Sequence, residues 1–135
     1  MPRSASKTMP KQLRLISFVI PVHNEAQNAP LLYHEILKNV KALPYKFEFI
    51  YVDDGSSDFS SEAIEELAKA HQNIRLIQLS RNFGKEAAVS AGLHAARGDA
   101  AMILDADFQH PPTLIGDFVK KWQADGKDVI IGIRK

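Results

Sequence analysis

Short apolar runs alternate with amphipathic segments along the chain from Leu13 onward. Five of these runs predict strands, at residues 15–20, 47–52, 74–79, 100–104 and 128–133. We expect Pro21 to end the first strand, because proline cannot donate a hydrogen bond to a sheet. Strands that alternate with helical segments are typical of successive βα units, so the pattern predicts an α/β fold with a mostly parallel sheet and flanking helices.

The four segments between these strands have apolar residues at helical spacing, as in the stripe Leu32, Ile36 and Val40. Asp58 is expected to be the N-cap of the second helix, because its carboxylate can accept free N–H groups of the first turn. The third helix is rich in alanine, and we expect Gly98 to close it. The predicted order of elements is βαβαβαβαβ.

Composition limits the class of protein. The chain has 135 residues, of which 45% are apolar and 24% are charged. This length allows one domain, and this composition excludes intrinsic disorder. With a formal net charge of +1, no overall field draws the chain to nucleic acid or to an anionic membrane. The absence of cysteine excludes disulfides, thiolate zinc sites and a cysteine nucleophile.

The first twelve residues carry Arg3, Lys7 and Lys11 among serine, proline and threonine. They lack the apolar core of a signal peptide, so we expect residues 1–12 to be a flexible basic tail and residues 13–135 to be the domain. No run approaches the roughly 18 apolar residues of a membrane span. We therefore expect the chain itself to be cytoplasmic.

Polar clusters follow several predicted strands, and ligands bind at this carboxyl edge of open parallel sheets. In the segment after the fourth strand, Asp105, Asp107 and Gln109 occupy alternate positions, which face the same side of an extended chain. Three hard oxygen donors suit Mg²⁺ or Mn²⁺, whose shell is completed by water and substrate phosphate. The alternative is a solvated turn that leads into a helix begun by Pro111 and Pro112.

Two further clusters follow the first and second strands. Asp53 and Asp54 are adjacent carboxylates, which repel unless hydrogen-bond donors such as those of a ribose or nucleobase compensate them. A turn at Gly55 is the alternative interpretation. Glu25 could accept a hydrogen bond from a base or sugar, or serve as a first-turn acid of a helix. His23 by itself is more typical of a loop residue than of a ligand.

Gly84 and Lys85 open the third helix, after Arg81. A glycine and a cation at a helix N-terminus can bind a phosphate, because free N–H groups and the helix dipole both favour an anion there. A solvated lysine is the alternative. The chain lacks the glycine patterns of P-loop and dinucleotide-binding proteins and the Gly-x-Ser-x-Gly motif of hydrolases. The sequence therefore does not contain the loops that define these three classes.

Four motifs taken in order resemble glycosyltransferase family 2. They are FVIPVHNE at 18–25, VDDGSSD at 52–58, LSRNFGKEAA at 79–88 and DADFQHPP at 105–112. The last two resemble the branch that transfers a sugar to a polyprenyl phosphate, the bactoprenol glucosyltransferase and dolichyl-phosphate mannosyltransferase type. The resemblance covers nearly all of residues 15–134.

The resemblance implies a Rossmann-like GT-A fold and an inverting, metal-dependent transfer from a UDP- or GDP-sugar to a polyprenyl phosphate. The residues expected to bind the nucleotide sugar are Pro21, His23, Glu25, Asp53, Asp54, Lys85 and Asp105. The residues expected to hold Mg²⁺ or Mn²⁺ are Asp105, Asp107 and Gln109. Asp107 is also expected to be catalytic, as is Arg134, which matches an arginine that faces the phosphates in this branch.

The sequence departs from the family pattern at two positions. His23 stands where the family usually has tyrosine, and His110 stands where aspartate or asparagine is common. The first departure affects the contact with the nucleobase, whereas the second leaves the three metal-binding positions intact. A lipid phosphate is already an anionic nucleophile, so catalysis can rest on neutralising the departing diphosphate without a strong general base.

Length is a third departure, because the family follows its donor-binding half with an acceptor half and, in this branch, with membrane helices. We therefore expect an amino-terminal, donor-binding portion, truncated after about five strands, inactive by itself and prone to self-association at an uncovered sheet edge. Full-length relatives are expected at the cytoplasmic face of a membrane. One alternative is a non-catalytic nucleotide-binding module. Another is a phosphoryl-transfer enzyme with Asp105 and Asp107 as nucleophile and acid, a pair normally found after the first strand.

Overall fold

The computed structural model of the chain describes residues 14–106, 114–125 and 129–131. Its elements, in chain order, are β1 (Arg14–Val22), α1 (Asn28–Val40), β2 (Tyr45–Asp53), α2 (Ser60–Ala70), β3 (Ile74–Gln78), α3 (Lys85–Ala95), β4 (Ala100–Ile103), α4 (Leu114–Asp125) and β5 (Val129–Ile131). The alternation predicted from the apolar pattern is confirmed, and the predicted tail at residues 1–12 lies outside the described residues.

The five strands form one sheet in the order β3-β2-β1-β4-β5, and all four strand pairs are parallel. The chain runs outward from β1 through β2 to β3 and then crosses to β4 on the other side of β1. Such a reversal of strand order opens a crevice at the carboxyl ends of the strands beside it. The predicted α/β fold with a parallel sheet is confirmed, and the candidate site belongs at the ends of β1, β2 and β4.

One face of the sheet carries the larger core. Phe18, Phe49 and Tyr51 are fully buried there and pack with Ile36 of α1 and Ile115 of α4. Alternate strand residues point to opposite faces, so the residues between them lie on the other face of the sheet. Burying aromatic and branched side chains on this face is the main source of stability.

The opposite face is covered by α3, which approaches the sheet closely because its buried residues are small. Ala88 packs against Ile50 and Val52 of β2. A Cβ added to Gly92 would lie 2.4 Å from Cγ1 of Val19, so a larger residue there would push the helix away from β1. The alanine-rich composition of this segment therefore sets the distance between α3 and the sheet. That distance in turn positions Lys85, the first residue of the helix.

Pro21 does not end β1, which continues to Val22. The backbone N–H of Leu104 donates to the carbonyl of Val19, and β4 pairs with β1 only as far as Ile103. Pro21 lies beyond the last residue of β1 that pairs with β4. An N–H group at position 21, on the side of β1 that faces β4, would therefore have no partner in that strand. The proline therefore removes a donor that the sheet does not use.

The ends of two helices also differ from the sequence prediction. α3 ends at Ala95, so Gly98 does not close it. A Cβ at Gly98 would lie 2.5 Å from Oγ of Ser17, so glycine is required there by close packing. The N-cap of α2 is Phe59 rather than Asp58. Asp58 nevertheless accepts the N–H of Ser60, the first residue of that helix, from one position earlier.

No helix within residues 14–106, 114–125 and 129–131 is long and apolar enough to cross a membrane.

Candidate functional site

A cleft opens at the carboxyl edge of the sheet. The described residues that line it are Pro21, Val22, His23, Glu25, Asp54, Lys85, Asp105 and Ala106. They come from the ends of β1, β2 and β4 and from the start of α3. The cleft has a volume of about 180 Å³, whereas ligand pockets commonly measure roughly 300–1,000 Å³. The described residues therefore enclose a space smaller than a typical ligand pocket.

The lining of this cleft is acidic. Glu25, Asp54 and Asp105 bring three carboxylates and Lys85 brings one ammonium, so these residues carry a formal charge of −2. An anionic group such as a diphosphate would be repelled by such a lining unless a cation entered with it. A divalent cation would bring the formal charge of the lining to zero.

Asp54 connects the second strand to the helix that carries Lys85. Its carboxylate is buried and accepts the backbone N–H of Phe83 at 2.8 Å and that of Gly84 at 3.1 Å. A carboxylate is favoured at this end of a helix, because the free N–H groups and the helix dipole are both positive there. Asp54 therefore holds the start of α3, and Lys85 with it, beside the cleft.

Gly55 allows the two loops on this side of the cleft to meet. Its φ is +66°, a left-handed conformation that favours glycine. A Cβ at this position would lie 2.3 Å from the backbone carbonyl carbon of Arg81 and 2.3 Å from the amide nitrogen of Asn82. The loop after β3 therefore rests on the loop after β2, backbone to backbone.

His23 is fixed by its contact with the same loop. Its Nδ1 lies 2.9 Å from the carbonyl oxygen of Asp54, and since a carbonyl only accepts, Nδ1 carries the hydrogen. In the neutral ring, Nε2 is then an acceptor. The side-chain amides of Asn24 and Asn82 approach Nε2 at 3.4 Å and 3.5 Å, long contacts in which each amide would donate. The ring thus lines the cleft in one tautomer.

The structure places Asp53 differently from its neighbour. Asp53 is buried, it is absent from the described lining of the cleft, and its carboxylate accepts hydrogen bonds from Ser56 and Ser61. These bonds fix the turn between β2 and α2. All the other residues predicted to bind the nucleotide sugar, namely Pro21, His23, Glu25, Asp54, Lys85 and Asp105, line the cleft.

Asn24 is a positioning residue that sequence reasoning missed. Its φ is +55°, and its side-chain oxygen accepts the N–H groups of Ser57 at 2.8 Å and Asp58 at 3.3 Å. The N–H of Glu25 donates to Oγ of Ser60 at 2.9 Å. These bonds tie the loop after β1 to the start of α2 and so position Glu25. The signal in the sequence was the residue type, because asparagine tolerates the left-handed conformation better than most residues.

Asp58 takes part in the same network. Hydrogen bonds from the side chain of Ser60, and then from the backbone N–H groups of Ser60 and Ala26, hold the pKa of Asp58 below its ordinary value against a smaller opposing effect of desolvation. The hydrogen bonds of this loop therefore stabilise the charged carboxylate form of Asp58. Glu25 itself precedes α1 by three residues and accepts from the side-chain amide of Asn28, so it is not a first-turn acid.

Asp105 and Lys85 form an ion pair across the cleft. Nζ of Lys85 lies 2.5 Å from Oδ1 of Asp105. The Asp105 side chain is 12% exposed, whereas that of Lys85 is 53% exposed. The carboxylate that follows β4 therefore sits at the floor of the cleft with a cation already against it.

The predicted metal site is described only in part. Asp107, Gln109 and Arg134 lie outside the described residues, as does His110. Within the described segments no three acidic or histidine side chains are grouped as a metal would need. Asp105 fits the role of one oxygen ligand, because its carboxylate faces the cleft and holds a cation there.

Comparison with known proteins places the chain among sugar transferases. The chain is 39% identical over 120 residues to the putative glycosyltransferase CsbB of Bacillus subtilis (strain 168), covering 89% of this chain and 36% of that protein. It is 41% identical over 121 residues to the undecaprenyl-phosphate 4-deoxy-4-formamido-L-arabinose transferase of Photorhabdus laumondii subsp. laumondii, covering 89% of this chain and 37% of that protein. The chain thus spans little more than a third of the length of these curated relatives.

The fold of this chain is also similar to that of a solved sugar transferase. The mannosyltransferase PcManGT from Pyrobaculum calidifontis, in complex with GDP-Man and Mn²⁺, superposes with a TM-score of 0.64 at 28% identity, covering 86% of this chain and 34% of that one. The expected GT-A fold is confirmed. The profile described as "Glycosyl transferase family 2" matches residues 17–135. The chain therefore belongs to glycosyl transferase family 2.

Proposed function

We propose that this chain is the nucleotide-sugar-binding part of an inverting glycosyltransferase that moves a sugar from a UDP- or GDP-sugar to a polyprenyl phosphate, with Mg²⁺ or Mn²⁺ on the diphosphate. The observation that carries the proposal is the cleft itself. Glu25, Asp54, Lys85 and Asp105 come from separate sequence motifs and line one cleft at the carboxyl edge of the sheet. The undecaprenyl-phosphate transferase among the relatives supports the acceptor class.

The acidity of the cleft supports the need for a divalent cation. A bound metal would neutralise charge on the departing diphosphate, and Asp105, Asp107 and Gln109 are the residues proposed to hold it. The Mn²⁺ in the mannosyltransferase complex supports the use of a divalent metal. Lys85 would pair with donor phosphate from the start of α3, where N–H groups also favour an anion.

The remaining residues are proposed to bind and orient the donor. Glu25 and His23 follow β1 and are proposed to lie beside the base and sugar. An N–H of the base would replace the long contacts of Asn24 and Asn82 at Nε2 of His23. Asp53 would act indirectly, by fixing the turn that carries Asp54. Arg134 is proposed to face the donor phosphates.

The acceptor determines the reaction type and the location. A phosphate oxygen of the lipid is already anionic and can displace the nucleoside diphosphate in one step, which inverts the anomeric carbon. A protein that uses such a lipid works at a membrane surface, and we propose the cytoplasmic face. The alternative of a non-catalytic module is not favoured, because the relatives named above are transferases.

Removal of the Asp105 carboxylate tests the proposal. Calorimetry with GDP and with UDP, each with Mn²⁺ or with a chelator, would measure binding to the 135-residue chain. We expect one of the two nucleotides to bind with Mn²⁺ and to lose at least about tenfold in affinity in Asp105→Asn, because the metal loses a ligand. Asp107→Asn should behave in the same way.

Asp117→Asn is the matched control, because Asp117 is exposed on α4 and does not line the cleft. Its affinity should equal that of the unsubstituted chain. Equal binding in chelator and in Mn²⁺, or equal losses in Asp105→Asn and Asp117→Asn, would contradict a metal-dependent donor site.

A further inference from the structure

Lys85 occupies an electrostatically unfavourable place. It is the first residue of α3, and the positive end of a helix dipole disfavours a cation. Cations are normally found in the last turn of a helix instead. Its ammonium is nevertheless held 2.5 Å from Asp105, a carboxylate on a different element. The ammonium of Lys85 is therefore held by its partner across the cleft and not by the dipole of its own helix.

The pair is a poor candidate for a purely stabilising ion pair. The side chain of Lys85 is 53% exposed, and water competes strongly for such an ammonium. Asp105, in contrast, is only 12% exposed, so water screens its charge much less. The arrangement thus pairs a partly buried carboxylate with a cation that can leave at little cost.

We propose that Lys85 is an exchangeable counter-cation of Asp105 that couples metal binding to nucleotide binding. Without a ligand, Lys85 neutralises Asp105. When a divalent cation takes the Asp105 oxygen, Lys85 moves to a phosphate of the nucleoside diphosphate in the same cleft. This inference rests on the proposed function, because it takes the metal and the diphosphate as the ligands.

The surroundings allow this exchange without a backbone movement. Asp54 fixes the backbone at Phe83 and Gly84, immediately before Lys85. Lys85 and Asp105 line the same cleft, so the flexible lysine stem alone can change partners. Metal alone must displace the ammonium, and diphosphate alone meets a lysine already neutralised by Asp105. Each ligand therefore assists the other, by the same factor in both directions.

Removing the ammonium should have opposite effects on the two ligands. We would measure the affinity for Mn²⁺ alone from the electron paramagnetic resonance signal of free Mn²⁺. The affinity for GDP or UDP in the presence of Mn²⁺ would be measured by calorimetry. In Lys85→Met, Mn²⁺ alone should bind about threefold more tightly, because its competitor is gone. The nucleotide should bind about tenfold more weakly, because its phosphate loses a charged partner.

Two other variants serve as controls. Lys85→Arg keeps the competing charge and should lack the gain in Mn²⁺ affinity that Lys85→Met shows. Lys69→Met removes a lysine that also pairs with a carboxylate, Glu66 on α2, but does not line the cleft. It should change neither affinity. Thermal unfolding of each variant shows that it folds.

The outcomes separate this inference from the proposed function. If Lys85→Met weakens nucleotide binding but leaves the affinity for Mn²⁺ alone unchanged or lower, the exchange is wrong and the metal-dependent donor site stands. If the unsubstituted chain shows no Mn²⁺ binding that Asp105→Asn removes, either alone or together with nucleotide, both fail. Tighter Mn²⁺ binding together with weaker nucleotide binding in Lys85→Met supports the exchange.

Discussion

The two ends of α3 are each held by a buried carboxylate, and they are built differently. Asp54 accepts two N–H groups at the start of the helix, beside the open cleft. Glu48, in the middle of β2, holds the segment after the helix by accepting the N–H of Arg97 at 2.7 Å and a hydrogen bond from Oγ of Ser17 at 2.5 Å. One end faces the candidate cleft and the other is closed.

The closed end satisfies its charges within the protein. Arg75 donates to Glu48 at 3.1 Å and to the carbonyl of Ala95, the last residue of α3, at 2.6 Å. A cation is favoured there because the carboxyl end of a helix is negative. Burial would raise the pKa of Glu48, but the bonds from Ser17, Arg97 and Arg75 outweigh burial and hold that pKa below its ordinary value.

The open end has the reverse arrangement, because its cation, Lys85, lies at the positive end of the helix. Its carboxylates outnumber its cations in the described lining of the cleft. The comparison teaches that the cation at the closed end is stabilised by the helix dipole, whereas the cation at the open end is held against the dipole by Asp105 in the candidate site. A substitution at one end of α3 should leave the other end intact.

The largest effect is expected at the open end, where Gly55 lets two loops touch. Gly55→Ala should lower the free energy of unfolding by about 4 kcal/mol, because it adds left-handed strain and a collision with backbone atoms. Gly84→Ala is the matched control, since Gly84 has a φ of +106° but no atom within 4 Å of an added Cβ. It should cost about 2 kcal/mol from strain alone. Urea unfolding measures both, and equal losses would contradict the close contact.

The next effect is expected at the closed end. Glu48→Ala should lower the free energy of unfolding by about 3 kcal/mol, because it leaves Arg75 and two further donors without their acceptor. Glu66→Ala removes an exposed glutamate that pairs with Lys69, and it should cost less than about 0.5 kcal/mol. Nucleotide affinity in Glu48→Ala, where the variant folds, should be unchanged. A small loss of stability or a large loss of nucleotide affinity in Glu48→Ala would contradict the difference between the closed end and the open end.

The smallest effect is the pH dependence of the closed end. The pKa of Glu48 is lowered in the folded protein from an ordinary value of 4.5. The unfolded chain therefore binds the proton more readily, and the stability from Glu48 is present above about pH 4.5 and lost as the pH falls through the lowered pKa. The advantage of the unsubstituted chain over Glu48→Gln should shrink on acidification through this range.

Asp58 has a lowered pKa as well, but it is present in both proteins, so the difference between them isolates Glu48. Denaturant unfolding at several pH values between neutrality and pH 3 provides the measurement. A constant difference across that range would mean that the hydrogen bonds do not favour the charged form of Glu48.

Most of the fold could be predicted from the sequence. The runs at 47–52 and 100–104 became β2 and β4 within a few residues, because unbroken apolar runs between polar turns leave a strand little choice of position. The predictions for Pro21, Gly98 and Asp58 were wrong in local detail. Each depended on where a neighbouring element ends, which local propensity does not specify.

The residues of the candidate site could be predicted from the sequence, but the contacts between them could not. Residues that follow different strands must meet at the carboxyl edge of a parallel sheet, so Glu25, Asp54 and Asp105 could be grouped from sequence alone. The sequence treated Asp53 and Asp54 alike. The structure separates them where β2 ends: Asp53, its last residue, accepts from Ser61, whereas Asp54, the first residue after it, lines the cleft.

The sequence by itself determined the order of strands and helices, the parallel sheet and the edge at which the acidic motifs collect, since these follow from periodicity and from the short reach of the chain. Only the tertiary structure decided that Glu48 and Asp54 hold opposite ends of α3 and that Lys85 is paired with Asp105. These contacts join residues 49, 29 and 20 positions apart, from Glu48 to Arg97, from Asp54 to Phe83 and from Lys85 to Asp105. Their partners are selected by the packing of α3 on the sheet, and packing is a property of distances in space that no local pattern encodes.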